Sequence, residues 1–181
     1  MMKKRQTGLT AIEMLIVLAI AGILLAVGLP GFQATVARMT TNSQAKILLS
    51  SLNLARSEAI KRHSVVAVCG SNNGVDCAAG AWNAGWLVFA DNNADADGAA
   101  GSVDPGDVVL RVYTELGSGS SLSYPSAVLR YDSQGFGLNI PTTPLQRFLI
   151  CPASGIGEYA QAIDISITGR GARNNTGLVC P

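Results

Sequence analysis

The stretch LTAIEMLIVLAIAGILLAVGL, residues 9–29, decides the architecture. Apart from Glu13 it carries no charge, and it just reaches the roughly 20 apolar residues that a helix needs to cross the hydrocarbon core of a bilayer. Lys3, Lys4 and Arg5 stand immediately before it, which predicts a cytoplasmic N-terminus and an exported remainder. A conventional cleaved signal has an apolar stretch of about 7–15 residues that ends at a small-residue cleavage site. Here the run is longer, and Leu29-Pro30-Gly31-Phe32 makes a poor site, so the segment is expected to stay with the mature chain. Glu13 is the anomaly. A carboxylate in a lipid-facing helix costs on the order of 2.5–3.5 kcal/mol at mid-membrane and less near an end. Something must compensate it, and a positive charge brought by a neighbouring copy of a similar helix would do so.

Outward from this run the pattern changes. Ala45, Leu48, Leu52, Ala55 and Ala59 recur three and four apart, while Gln44, Lys46, Ser50, Asn53, Arg56 and Ser57 fall mainly off that line. This is an amphipathic helix. Its stripe is rich in small residues, which lets a sheet pack closely, and Lys61 and Arg62 suit the negative pole of the helix dipole. After residue 63 come short runs rich in branched and aromatic residues, punctuated by Gly, Asn, Asp, Pro and Ser: residues 65–69, 86–90, 108–113, 128–131, 147–151 and 163–168. These read as strands. The predicted fold class is α+β, a long N-terminal helix, first transmembrane and then amphipathic, packed on a β-rich globular head of antiparallel strands. Residues 92–101, rich in Ala, Asp and Gly, read as an excursion between strands.

Cys69, Cys77, Cys151 and Cys180 all lie in the part expected to be exported, where thiols oxidise. Four cysteines allow three pairings. The local ones, Cys69 with Cys77 and Cys151 with Cys180, are favoured because each closes a loop between neighbouring strand ends. Loop-closure entropy assigns them about 2.5 and 3.5 kcal/mol. A zinc site lacks ligands, since there is no CxxC spacing and His63 is the only histidine.

The residues KKRQTG, followed by LTAIEMLIVLAIAGILLAVGLPGF, resemble the class III signal of type IV pilins and type II secretion pseudopilins. The resemblance implies that a prepilin peptidase cuts after Gly8 and methylates the new amine of Leu9. Glu13 then becomes the fifth residue of the mature chain, where the family keeps its Glu for filament assembly, and Pro30 matches the proline that bends the family's helix. Leu9 departs from the more usual Phe. Two further stretches resemble the GspH/FimT/FimU-like minor subunits of that family: LNLARSEAIKRHSVVAVC, residues 52–69, which carries the pattern LxxARSEAxxR, and WNAGWLVFADNN, with Trp82, Gly85, Trp86, Phe89 and Asp91. The implied organisation is a leader over residues 1–8, a transmembrane and filament-core helix over 9–30, an amphipathic helix over 31–63 and a head over 64–181. The implied function is that of a minor pilin in type IV pilus assembly, in the initiating or tip complex, with a GspH-like pseudopilin of type II secretion as the alternative. The implied partners are prepilin peptidase, other pilins and minor pilins in a filament, and the inner membrane, with the head in the periplasm and then on a pilus or pseudopilus. Loss of the leader would take Lys3, Lys4 and Arg5 with it and change the formal charge from +1 to −2, so any anion binding by the mature chain must be local.

One local site is suggested by DISITGRGARNN, where Arg170 and Arg173 sit in a Gly-rich turn. The same branch often has a GRxR segment here, linked in DNA-uptake minor pilins to double-stranded DNA; GRGAR displaces the second Arg by one residue. The competing expectation is a turn whose arginines pair with neighbours or stay solvated. Two arginines would give a salt slope of only about −1.8. The acidic stretch NADADG, with Asp104 at the twelfth position of a loop begun at Asn93, weakly resembles a calcium loop, but Asn and Asp replace its first Asp and last Glu, which favours a solvated turn. Asp95 and Asp97 have no apolar wall to shift a pKa. With four cysteines expected to be oxidised and one His beside a basic helix end, no catalytic constellation is present, and neither a cofactor nor a metal is implied.

Overall fold

A computed structural model describes residues 10–92, 103–117, 119–138, 140 and 145–181. The first element, α1, is a helix over Ala11–Arg62. Its backbone remains helical through Pro30, so the expected boundary between residues 30 and 31 falls inside one continuous element. The chain divides into two compact units, Met1–Val36 and Ala37–Pro181.

In the first unit the helix is apolar on every side. Ile12, Leu18, Leu24 and Phe32 are each about two-thirds exposed, and the most apolar window has a mean hydropathy of 2.7 with none of it buried within the chain. A helix of this kind needs a hydrocarbon environment or other helices around it.

The second unit uses the remainder of α1 as its spine. Thr41, Gln44, Ala45, Leu48, Ser51, Leu52, Ala55 and Ala59 are buried, a stripe at helical spacing that includes the five apolar positions expected. Against it lie two antiparallel sheets. One has the order β3-β2-β1-β5-β6, from strands β1 Val65–Gly70, β2 Gly85–Asp91, β3 Val108–Thr114, β5 Val128–Tyr131 and β6 Gly137–Leu138; the other has the order β4-β7-β8-β9, from β4 Ser121–Ser123, β7 Arg147–Cys151, β8 Gln161–Ile165 and β9 Gly171–Arg173. Pleating sends Val66 and Val68 of β1 into the main core with Leu48 and Leu52, and sends Ala67 and Cys69 to the opposite face with Leu87 and Phe89. Both faces of β1 and β2 are therefore covered, which explains their unbroken apolar sequences.

Aromatic contacts join the sheets. Trp82, in a 3-10 turn before β2, meets the rings of Phe148 and Tyr124 edge-on at 5.0 and 5.5 Å, and its indole N–H donates to the Ser126 carbonyl at 3.1 Å. Trp86 stacks on Tyr113 at 5.1 Å and donates to Ser51 Oγ at 2.9 Å. Between them Gly85 adopts φ 138°, and a Cβ there would stand 2.4 Å from the Tyr113 carbonyl oxygen. The WNAGW segment is thus a packing device: two indoles with a glycine that lets β3 approach.

The strand expected over residues 163–168 begins two residues earlier and stops at Ile165. Ser166 N–H donates to the Arg170 carbonyl and Gly169 N–H to the Ser166 carbonyl, so residues 166–169 form a turn, and Gly169 takes φ 73°. Strands β4, β6 and β9 were not foreseen; each has three residues or fewer. The disulfides join Cys69 to Cys77 and Cys151 to Cys180, with Cα separations of 5.6 and 5.8 Å.

Leu52 lies at the centre of the stripe and is 1% exposed. Leu52→Ala should lower the unfolding free energy of the detergent-solubilised chain by about 2–5 kcal/mol, read by urea titration, whereas Ser50→Ala on the exposed side should leave it within about 0.5 kcal/mol.

Candidate functional site

Glu13 stands in the first turn of α1. Its backbone N–H donates to Thr10 Oγ1 at 3.3 Å, and Met14 N–H donates to the Thr10 carbonyl at 3.2 Å. Thr10 is therefore the N-cap, and Thr10-Ala11-Ile12-Glu13 has the T-x-x-E spacing of a capping box, a signal that the sequence reading overlooked. The acid at this position also complements the positive pole of the helix. Among the described residues the exposed carboxylate has no ion-pair partner. Gly8 and Leu9, the expected processing site, lie outside the described residues.

On the head, the segment that carries LxxARSEAxxR divides its labour by face. Leu52, Ala55 and Ala59 enter the core. Arg56 Nε donates to the Gly135 carbonyl at 2.8 Å, tying α1 to the β5–β6 turn. Glu58 accepts from Lys61 at 3.3 Å and from Arg62 at 2.7 Å, and these bonds, that of Arg62 first, hold its carboxyl below the ordinary range. Asp91, at the end of β2, pairs with Arg130 of β5 at 3.1 Å. Near the start of the head, Arg38 pairs with Glu158 and lies 4.9 Å over the Tyr159 ring, while Thr41 Oγ1 donates to the Tyr159 carbonyl at 2.6 Å.

The two arginines of the β8–β9 hairpin have different surroundings. Gly171 pairs with Ile165 and Arg173 with Ile163, so residues 171 and 173 share a face. That face looks toward α1: a Cβ on Gly171 would meet Leu49 at 3.0 Å, and Arg173 Nη2 donates to Asn42 Oδ1 at 2.8 Å and to Gln161 Oε1. Arg170, at the turn, is exposed and has no side-chain partner among the described residues. The structure does not gather the pair into one anion clamp; Arg173 is a tether between β9 and α1, and Arg170 is the available guanidinium.

Beneath this hairpin lies a network with no sequence signal. Arg147 and Asp164 face each other across β7 and β8 and form two bonds, of 2.5 and 3.0 Å, while Asn174 Nδ2 donates to the same carboxylate at 2.8 Å. The Arg147 bonds hold the Asp164 carboxyl below the usual range against the opposing pull of burial, and Asn174 adds to the lowering.

Of the acidic stretch, Asn93, Asp95 and Asp97 lie outside the described residues. Asp107 accepts the backbone N–H groups of Asn92 and Asp104, each at 3.0 Å, so its carboxylate closes a turn. Among the described residues no three His, Cys, Asp or Glu side chains gather as metal ligands. Burial pushes the phenols of Tyr124 and Tyr131 well above their ordinary range.

The model of the family described as Type II transport protein GspH matches residues 44–169. Among solved structures the chain is similar to a crystal structure of the type IV minor pilin FimU of Pseudomonas aeruginosa PAO1, at 19% identity and TM-score 0.55, over 76% of this chain and 90% of that one. A second crystal form of FimU aligns over 74% of this chain and 91% of that one, at 19% identity and TM-score 0.49. At this identity the first likeness concerns the fold, a helix packed on an antiparallel β head. No curated protein matches.

The family match ends just before Arg170, so the hairpin is best tested on this chain itself. Arg173→Ala should cost about 0.5–1.5 kcal/mol of stability, whereas Arg170→Ala should leave the melting temperature unchanged. The lowered Asp164 pKa stabilises the fold fully above the unfolded carboxylate value near pH 4, and this contribution disappears as pH falls through the folded value. Asp164→Asn should therefore lower stability at pH 7 and flatten its decline below about pH 4, measured by urea unfolding across that range.

Proposed function

The chain belongs to the GspH family, and on that premise we propose that it is a minor subunit of a type IV pilus, processed after Gly8 by prepilin peptidase, methylated on Leu9 and held in the inner membrane until it enters the filament. The observation that carries this reading is α1 itself, which from Ala11 to Phe32 has no polar side chain except the one carboxylate in its first turn. Magnitudes support an intermolecular role for Glu13. An acid at a helix N-terminus gains about 0.3–1 kcal/mol from the dipole, set against a cost that reaches roughly 2.5–3.5 kcal/mol at mid-membrane and falls toward the end of the span where Glu13 lies. An opposite charge nearby favours the ionised form, and the processed amine of a neighbouring subunit is the group of that sign which the filament supplies.

A second reading, a minor pseudopilin of the type II secretion system, is favoured by the GspH match. Both share the leader, the helix and the head, and they differ in which other subunits co-purify. On either filament Arg170 is the side chain available to a phosphate of double-stranded DNA. One neutralised phosphate contributes a salt slope of about −0.9, so DNA contact on this head requires several subunits or other basic residues to contribute.

Glu13→Ala should leave cleavage after Gly8 intact and reduce the subunit's recovery in sheared filaments at least tenfold, read by immunoblot of the membrane and filament fractions. Undiminished recovery would refute the role given to Glu13. Arg170→Ala should flatten the salt dependence of DNA gel shifts by about one unit.

A further inference from the structure

Beside β3 the head is hollow. Two adjoining depressions of about 300 and about 450 Å3 share Ile47 and Tyr113. Among the described residues β3 is the outer strand of its sheet, so one row of its backbone N–H and C=O groups has no described strand to receive it. A register shift opposite Val88 and Phe89 leaves Leu110 as an extra residue on β3. Such a bulge bends the strand and limits its regular edge to residues 111–114, the part that lines the hollow.

The hollow holds an orphan. Gln44 is 4% exposed, and its Nε2 donates to the Leu116 carbonyl at 2.8 Å, which fixes the orientation of the amide. Its Oε1 has no donor among the described residues. The larger depression adds two cations, Lys46 and Arg111, with no acidic side chain among its lining residues; Glu115 lines only the smaller one. Arg111 lies 5.7 Å from the Tyr113 ring centroid. Exposed Ile47 supplies an apolar floor.

A strand edge, two cations and an apolar floor match an extended polypeptide with one acidic side chain. We propose that this trough is a strand-acceptor site, in which a segment of a neighbouring filament subunit pairs with residues 111–114, places a carboxylate between Lys46 and Arg111, and lays an apolar side chain on Ile47 and Tyr113. That the donor is another filament subunit rests on the filament reading above; the acceptor chemistry does not.

The test uses the processed full-length chain in detergent and fluorescent overlapping peptides that span the heads of the co-encoded filament subunits. One acidic segment should bind, and Lys46→Glu with Arg111→Glu should weaken it at least tenfold while the melting temperature is unchanged, because both side chains are exposed. Replacing the peptide's acid with Lys should restore binding to the double variant. Ile47→Asp, on the same exposed floor, should also weaken it. The site is overturned if no peptide binds, if charge reversal has no effect, or if cross-linking at Ile47 yields only a second copy of this chain. Filament recovery separates the two readings: wild type absent from sheared filaments fails the filament reading, whereas wild type present with the double variant equally abundant fails the acceptor site alone.

Discussion

Burial of one narrow stripe on α1 organises the head. Three of its five apolar positions, Ala45, Ala55 and Ala59, are alanines, and all three are fully buried. A stripe so thin allows two sheets to share one helix without a wide gap, and it moves the bulk of the core to the sheets, where Trp82, Trp86, Tyr131 and Phe148 fill the space. Large side chains at those helical positions would push the sheets outward and break the contacts that Ser51 and Trp86 make across the interface. The polar members of the stripe are tethers: Thr41 reaches the Tyr159 carbonyl and Gln44 the Leu116 carbonyl, so the segments at both places are held to the helix by hydrogen bonds.

The same helix must satisfy a different solvent before Ala37. There the sequence has no polar face, because the surroundings it is suited to offer no hydrogen bonds, and α-helical backbone is one of the few structures that satisfies itself under that condition. On the filament reading proposed for this chain, the cap and the dipole compensate Glu13 only in part, and the shortfall would favour association. On that reading a residue costly to the isolated subunit would select the assembled state, a role attested for buried polar groups elsewhere.

Much of this was legible in the sequence because it rests on local periodicity. The stripe from Ala45 to Ala59, five of the six expected strands and the local disulfide pairs follow from spacing and neighbourhood. What was missed depends on register. Arg147 and Asp164 are seventeen positions apart, and nothing in their surroundings says that β7 and β8 place them opposite one another. The same is true of Arg173, whose partners Asn42 and Gln161 come from α1 and β8. GRGAR reads as a pair of arginines in one turn, yet the pleat separates a tether from a solvated group. The T-x-x-E cap at Thr10 was legible in the spacing of Thr10 and Glu13.

The sheet edges show an asymmetry that packing alone does not require. Strands β4, β6 and β9 each end a sheet with three residues or fewer, short enough to discourage pairing with another chain. β3 ends its sheet with seven residues, of which Val108, Val109 and Val112 are exposed. Its protection consists of one bulge and one charge, Arg111, and the charge is selective because it repels a basic strand and attracts an acidic one. An edge guarded by charge sign discriminates among partners, whereas an edge guarded by shortness excludes them all. Among the described residues three edges of this head are of the second kind, and the fourth is of the first.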